Sequence, residues 1–169
     1  YDDFRPEVHD SDGLQILTET GDWIWRPLTN PPQLQITSSL ARNTRGFGLL
    51  QRDREFENYQ DEEAKYQHRP SIWVEPQGDW GEGRVELVEI PTDSETNDNI
   101  VAYWVSGEPV EAGDALEYSY TLTSVGASVP HHSLARVSRT RQGWAAVPGA
   151  PNPPPKTHRQ FIVDFTGDQ

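Results

Sequence analysis

Two acidic positions of the sequence have surroundings that suit the hydrolysis of a glycosidic bond. Asp10 lies between a histidine and a serine in a stretch rich in turn-forming residues, and Asp98 lies between two asparagines, three residues after Glu95. Glycoside hydrolysis needs one carboxyl group that protonates the leaving oxygen and a second that assists the attack. Asp98, beside amides and a second carboxylate just before an apolar run, suits the acid. The competing interpretation is a solvated or turn-forming side chain, since Asp prefers turns.

Five tryptophans are interleaved with Asp, Glu, Asn and Arg, and such a mixture can form a sugar-binding surface. The five are Trp23, Trp25, Trp73, Trp80 and Trp104. Aromatic rings stack on the apolar faces of sugars, while carboxylates, amides and guanidinium groups hydrogen-bond the hydroxyls. The alternative is a place in the core, because Trp is usually largely buried. Trp25 and Trp104, in apolar surroundings, fit the core best, and Trp80, which lies in a turn, fits it least.

Signals for metals, cofactors and other nucleophiles are weak. Residues 10–13 look like the start of a calcium loop, but the later ligands and the closing glutamate are missing. The adjacent His131 and His132 would point to opposite sides of a strand, so an exposed loop is the simpler interpretation. The sequence has no cysteine, which excludes thiol catalysis and thiolate ligation of zinc. It also lacks a GxSxG elbow and a P-loop. We therefore predict no metal and no cofactor.

The charge balance narrows the class of ligand. The chain has 169 residues, with 27 acidic against 14 basic side chains and a formal net charge of -13. Such a chain repels phosphate backbones, so no nucleic-acid partner is expected, whereas neutral sugars are compatible. No apolar run approaches the roughly 20 residues that span a bilayer, so the chain is not expected to be embedded in a membrane.

Alternation of apolar and polar residues predicts several short β-strands. The alternation is clearest over residues 85–89, 116–122 and 161–165, and it is briefer over 34–36. Residues 100–105 are continuously apolar, as is typical of a strand covered on both faces. Turn signals occur at 12–13, 78–79 and 112–114. This spacing predicts an all-β fold of antiparallel sheets packed face to face.

Three other segments are predicted not to be strands. Residues 55–66 are the best helix candidate, short and polar, with a proline beyond their end. Residues 108–114 form a loop with Pro and Gly. Residues 143–158 contain five prolines and cannot supply a continuous hydrogen-bonded ladder, so they form a long loop. This loop is either a floppy connection or a lid over a cleft, with Trp144 as a stacking residue.

Several sequence words resemble the osmoregulated periplasmic glucan biosynthesis proteins of the G/D type. In chain order they are RPEVHDSDGL, WIWRPLTNP, GFGLLQRDREF, RPSIWVEPQGDWGEGRVELVEIPT, ETNDNIVAYW and FIVDFTG. The resemblance covers most of residues 4–105 and returns at 161–167. It implies an antiparallel β-sandwich of the galactose-mutarotase-like type. Residues 1–169 would be the rear part of that single domain, without the immunoglobulin-like domain that follows it in the family.

The resemblance also implies a function and a set of site residues. Members of the family are exported and are required for making β-1,2-linked glucans, and related members are inverting endo-β-1,2-glucanases. Asp98 matches their general acid and Asp10 their general base. Candidates for substrate binding or proton relay are Glu95, Tyr66, Trp80, Trp23 and Arg52, of which the resemblance supplies the first two. A direct inverting mechanism predicts carboxyl groups about 6.5–9.5 Å apart, and a relayed one allows more.

The leading hypothesis is an endo-acting, inverting β-1,2-glucan hydrolase of the periplasm, whose partner is β-1,2-glucan or a related oligosaccharide. The alternative is a non-catalytic glucan-binding or scaffold protein that assists a membrane glucan synthase. A third possibility is a structural fragment without activity of its own. Residues 1–4 do not begin a signal peptide, so any export signal is expected upstream. A shielding loop that active members use falls in the proline-rich region, where the resemblance is poor.

Overall fold

The computed structural model describes residues 4–127, 135–147 and 149–167. The chain forms two compact units, Tyr1–Val129 and Pro130–Gln169. Every strand pair in both units is antiparallel among the described residues, so the predicted all-β antiparallel fold is confirmed. The interpretation of residues 1–169 as one domain stays a prediction. His131, His132 and Pro148 lie outside the described residues.

Ten strands and two short helical segments make up the described structure. The strands are β1 Gly13–Leu17, β2 Trp23–Pro27, β3 Gln35–Arg42, β4 Gly46–Leu50, β5 Ser71–Gln77, β6 Glu82–Glu89, β7 Ile100–Ser106, β8 Ser119–Val125, β9 Arg136–Gly143 and β10 Gln160–Thr166. In the first unit, a larger sheet has the order β2-β1-β4-β5-β8 and a smaller sheet has the order β3-β6-β7. The turn signal at 12–13 falls at the start of β1, where Asp12 is a bend and Gly13 is the first residue of the strand.

The predicted helix over 55–66 is much shorter than expected. Helix α1 covers only Phe56–Tyr59, because Gln60 takes a left-handed conformation with φ of 53°. Asp61 then accepts hydrogen bonds from the backbone amides of Glu63 and Ala64, which closes a turn. A 3-10 helix follows over Tyr66–His68. The turn therefore interrupts the helix, and Tyr66 begins a separate 3-10 helix.

The core of the first unit lies between the two sheets. It consists of Leu14, Ile16 and Phe47 from the larger sheet and Val85 and Leu87 from the smaller one, all at most 4% exposed. The two residues from β1, like the two from β6, are two positions apart, as the period of a strand requires. Burial of each side chain stabilises the fold by about 1.5–3 kcal/mol. This packing makes the first unit a β-sandwich.

The tryptophans pack against the core and against neighbouring strands more than the sequence indicated. Trp80 and Trp104 are half-buried and pack against the core, so the expectation that Trp80 fits the core least is wrong. Several indole rings also cover a glycine of the neighbouring strand. The three pairs are Gly13 with Trp25, Gly46 with Trp73, and Gly83 with Trp104. A Cβ atom at Gly83 would lie 2.4 Å from the Trp104 ring, so only glycine fits there.

The second unit is a hairpin-like pair of strands. β9 pairs with β10, and the register shifts between Asp164 and Phe165. Between the strands, the described residues 144–147 and 149–159 form neither strand nor helix. Within this segment the indole N–H of Trp144 donates to the carbonyl of Pro154 at 3.1 Å. Across all described residues, no helix combines the length and apolar character needed to cross a membrane.

Candidate active-site cleft

A cleft of about 840 Å³ opens in the first unit. Its lining comes mainly from the loop before β1 and the loop between β6 and β7, with additions from residues 28–30 and from the 3-10 helix. Its volume lies in the range of ligand-binding clefts. Four of the residues predicted from the sequence line it: Asp10, Asp98, Glu95 and Tyr66.

Backbone and amide hydrogen bonds hold the loop that carries Asp98. The loop is closed at its base, where the amide of Ile90 donates to the carbonyl of Asn99 at 2.8 Å. Near the start of the loop, the Asn30 side chain donates to the Thr92 carbonyl at 2.7 Å and accepts from the Thr92 amide at 3.1 Å. These bonds hold the loop against residues 28–30, and Asp98 remains exposed within the cleft.

A buried carboxylate anchors the neighbouring segment of the cleft. The Glu89 side chain is fully buried at the end of β6. It accepts hydrogen bonds from Arg26 at 2.7 Å, from the Thr29 amide at 2.7 Å and from the Thr29 hydroxyl at 3.1 Å. Because a buried charge needs such partners, this arrangement fixes Thr29, a lining residue, relative to the smaller sheet.

The loop before β1 is held through Asp12 and presents Asp10 to solvent. The amide of Asp12 donates to the carbonyl of Leu50 at 2.8 Å, and its carboxylate accepts from the amide of Asp53 at 2.7 Å. The Asp10 side chain is 61% exposed, and the Arg69 guanidinium lies 3.6 Å from its carboxylate. Asp10 therefore stands at the cleft surface with a cationic neighbour.

Arg5, Glu95 and Tyr66, which we call the cleft triad, form a hydrogen-bonded group on the cleft wall. The two terminal nitrogens of Arg5 donate to the two oxygens of Glu95 at 3.1 and 2.6 Å. The Tyr66 hydroxyl donates to the same carboxylate. Arg5 also donates to Asp61, the residue that closes the turn before Tyr66. The triad therefore joins three segments that are distant in sequence.

The triad has a defined protonation state near neutral pH. The hydrogen bonds from Arg5 and then from Tyr66 lower the pKa of Glu95. Burial, followed by the hydrogen bond to Glu95, raises the pKa of Tyr66. Glu95 is therefore an ionised acceptor and Tyr66 a protonated donor. The nearby charge of Asp10 adds to the raised pKa of Tyr66, and Arg69 lies over the Tyr66 ring at 5.5 Å. Arg69 thus connects the triad with Asp10.

A second polar cluster lies on the wall of the cleft nearest β1. Glu7, His9 and Asp12 each bring one potential ligand atom within 4.8 Å of the others. His9 is 2.9 Å from Glu7 and 3.7 Å from Asp12, which are ion-pair distances when the imidazole is protonated. The residue types also suit a divalent cation. The absence of a metal from this protein thus stays a prediction.

Three predicted binding residues lie outside the described lining of the cleft. Trp23 stacks at 5.8 Å on a neighbouring ring, that of Trp73. Trp80 packs edge-on against Tyr118 at 5.1 Å. The Arg52 guanidinium lies 4.5 Å over the ring of Trp25. The structure therefore does not bring Trp23, Trp80 and Arg52 together with Asp10 and Asp98.

Sequence reasoning missed three charged residues around the cleft. Arg5, Asp61 and Arg69 were given no role, although Asp61 has a local signal, since an Asp that caps the amides two and three residues on is a common turn. Arg5 has no such signal, because its partners Asp61 and Glu95 are 56 and 90 residues away. Only the folded chain reveals that pairing.

Comparisons with known proteins give a consistent result. A family model described as "Periplasmic glucan biosynthesis protein, MdoG" matches residues 1–169. "Glucans biosynthesis protein G" of Cereibacter sphaeroides is 51% identical over 99% of this chain and 31% of its own length. The protein of the same name from Ralstonia nicotianae is 50% identical over 98% of this chain and 33% of its own length.

A relative with a different name matches almost as well. "Probable glucans biosynthesis protein D" of Shewanella oneidensis is 48% identical over 98% of this chain and 30% of its own length. The resemblance seen in the sequence words is thus confirmed. The chain spans about a third of the length of these curated relatives.

Proposed function

Because the chain belongs to the MdoG family of periplasmic glucan biosynthesis proteins, we propose that its full-length protein serves periplasmic glucan biosynthesis by cleaving β-1,2-glucan internally with inversion. The observation that carries this proposal is that Asp10 and Asp98 line one cleft together with Glu95 and Tyr66. Two carboxyl groups on one cleft are the minimum that an inverting glycosidase requires.

The protonation state of the triad supports Asp98 as the general acid. Glu95 is held ionised by Arg5 and Tyr66, so it is a poor proton donor near neutral pH. Asp98 is the other carboxyl group of the same loop that lines the cleft. Asp10, with the Arg69 guanidinium 3.6 Å away, has an electrostatic partner for the ionised form that a base requires.

The proposed reaction is a single displacement. Asp98 gives its proton to the glycosidic oxygen, directly or through a substrate hydroxyl, as the bond from that oxygen to the anomeric carbon breaks. A water molecule attacks the anomeric carbon from the opposite face, and its proton passes to Asp10, directly or through intervening groups. The new hydroxyl has the α configuration. Tyr66 and Glu95 hold the cleft wall and support binding or proton relay.

The charge of the cleft supports an uncharged substrate. Among the described lining residues, five are Asp or Glu and none is Lys or Arg: Glu7, Asp10, Asp12, Glu95 and Asp98 are the five. Carboxylates accept hydrogen bonds from sugar hydroxyls but repel anionic groups. A neutral glucan fits this lining better than a polymer that bears phosphate or carboxylate groups.

The test uses the full-length protein and linear β-1,2-glucan. We expect Asp98→Asn and Asp10→Asn each to slow cleavage by about 10²–10⁴-fold, the contribution of a positioned acid or base. Asp93→Asn is the matched control, since Asp93 is exposed in the same loop but outside the described lining. NMR of the first products should show the α anomer. Wild-type rates in the Asp98→Asn protein would remove the assignment of the acid.

The same assay separates the rival function. A wild-type protein that binds the glucan without cleaving it would contradict the hydrolase proposal. That result would favour a glucan-binding protein that assists a membrane glucan synthase.

A further inference from the structure

Arg5 lies in a loop and forms ion pairs with two carboxylates. Its side chain is only 12% exposed, and it contacts Glu95, which is 32% exposed, and Asp61, which is 10% exposed. Both Glu95 oxygens accept from it, in the two-pronged geometry that guanidinium groups provide and ammonium groups do not. Such a contact fixes the orientation of the carboxylate as well as its position.

The second contact of Arg5 ties that orientation to Tyr66. Asp61 accepts from the amides of Glu63 and Ala64, so it is rigidly part of the turn that precedes the 3-10 helix. Arg5 therefore links the turn that precedes Tyr66 with the carboxylate that accepts the hydrogen bond from the Tyr66 hydroxyl. Without Arg5, the partly exposed Glu95 would be free to turn towards water, and Tyr66 would lose a fixed acceptor.

We propose that Arg5 is a positioning residue for the reaction proposed above: it acts through Glu95, whose carboxylate it orients towards Tyr66 on the cleft wall. This inference rests on the proposed function of the cleft. Arg5 lies outside the described lining and is not required to touch the substrate. Its effect is therefore expected in the rate of the bound complex, not in substrate affinity.

A group with the same three residue types elsewhere in the chain provides the control. Arg84, Glu86 and Tyr103, which we call the sheet triad, lie on the outer face of the smaller sheet. Arg84 donates to Glu86 at 2.6 Å, and the Tyr103 hydroxyl donates to the same carboxylate at 2.7 Å. Substitution of Arg84 thus removes a hydrogen bond from an arginine to a glutamate, here made through Nε alone, in a group outside the described lining of the cleft.

The experiment compares Arg5→Lys and Arg5→Gln with Arg84→Lys and Arg84→Gln in the full-length protein, on linear β-1,2-glucan. We expect Arg5→Lys to lower kcat about 10-fold and Arg5→Gln about 100-fold, with KM within about twofold of wild type, because misorientation near a reacting centre costs factors of this size. The Arg84 variants should keep wild-type kcat. If Arg5→Gln does not fold, Arg5→Lys decides the question.

A pH profile distinguishes positioning from simple loss of stability. The charged and titratable groups that bear on Glu95 are Arg5, Tyr66 and Asp61. Since the Arg5 hydrogen bond lowers the pKa of Glu95, its loss lets Glu95 take up a proton at higher pH. The acid limb of kcat should move to higher pH in Arg5→Lys. The same shift should appear when Arg5→Lys is added to a protein that already carries Asp61→Asn, because Glu95 and not Asp61 is the group whose pKa changes.

The outcomes separate this inference from the proposed function. If wild type cleaves the glucan but Arg5→Lys keeps its kcat and pH profile while its melting temperature falls, Arg5 is only structural and the inference is overturned. A rise in KM with unchanged kcat would overturn it too, because Arg5 would then serve binding. If wild type cleaves no glucan, the proposed function and this inference fall together.

Discussion

The cleft triad and the sheet triad contain the same three side-chain types. In each, an arginine and a tyrosine donate to one glutamate, and both hydrogen bonds lower the pKa of that glutamate. Arg5 donates to both oxygens of its glutamate, whereas Arg84 donates through Nε to one. The two triads also differ in how the chain brings them together. Glu86 lies two residues after Arg84 on β6, and Tyr103 of β7 is directly opposite Glu86 in the register. The cleft triad instead joins two loops and the 3-10 helix, which are distant from one another in sequence.

The comparison shows that the chemistry of such a group does not by itself indicate a function. The sheet triad follows from strand geometry and stabilises a cross-strand contact on an outer face. The cleft triad is assembled at the entropic cost of ordering loops, and its glutamate lines a cleft with four further carboxylic acids. We therefore expect substitutions in the two triads to differ greatly in their effect on activity and much less in their effect on stability.

The largest expected difference is in catalysis. Glu95→Gln should lower kcat on linear β-1,2-glucan by about 100-fold, since the amide replaces one of the two oxygens that accept from Arg5 with an NH₂ donor and removes the negative charge. Glu86→Gln should leave kcat unchanged. The measurement is steady-state kinetics of both full-length variants. Equal losses in the two would show that the cleft triad matters only for folding.

A smaller difference is expected for the tyrosines. Tyr66 is 5% exposed and Tyr103 is 39% exposed. Tyr66→Phe should cost about 1 kcal/mol of unfolding free energy, the typical worth of a hydrogen bond, and should lower kcat about 10-fold. Tyr103→Phe should leave kcat at the wild-type value. Urea denaturation and kinetics on the same preparations measure both effects, and a catalytically normal Tyr66→Phe protein would contradict a role in relay.

The smallest effect is the pH dependence of stability in the sheet triad. The hydrogen bonds from Arg84 and then Tyr103 lower the pKa of Glu86 in the folded state. Such a group stabilises the folded state above its unfolded pKa of about 4.3, and this stabilisation is lost as the pH falls through the folded pKa. Glu86→Gln should therefore destabilise the protein at pH 7 more than at pH 3. Equal urea midpoint shifts at both values would contradict this assignment.

The fold was predictable where one strand face is buried and the other is polar. The alternation at 85–89 falls within β6. The apolar run at 100–105 falls within β7, but the expectation that both of its faces are covered is wrong, because Val101 and Tyr103 are exposed. The strand predicted over 116–122 lies three residues further along the chain, because β8 begins at Ser119, where it pairs with Gln77. β1 gave no alternating signal since it is buried on both faces, and β5 contains a proline, which disguises a strand.

The candidate site was predictable only through the family resemblance. Asp10, Asp98, Glu95 and Tyr66 line the cleft, but their spacing in sequence does not determine that they meet. Residue type alone selected Trp80 for binding, whereas sheet packing turned it against the core. Arg5 could not be chosen in advance, because long-range ion pairs leave no local pattern.

The indole rings that cover glycines have an evolutionary consequence. At Gly13 the three atoms nearest to an added Cβ, at 2.3–2.7 Å, all belong to the Trp25 ring, so any larger side chain must displace that ring. Substitutions at the two sites should therefore be epistatic: a bulkier residue at 13 becomes tolerable once 25 has lost its ring. Homologous chains that lack this tryptophan are where alanine or serine should replace the glycine first.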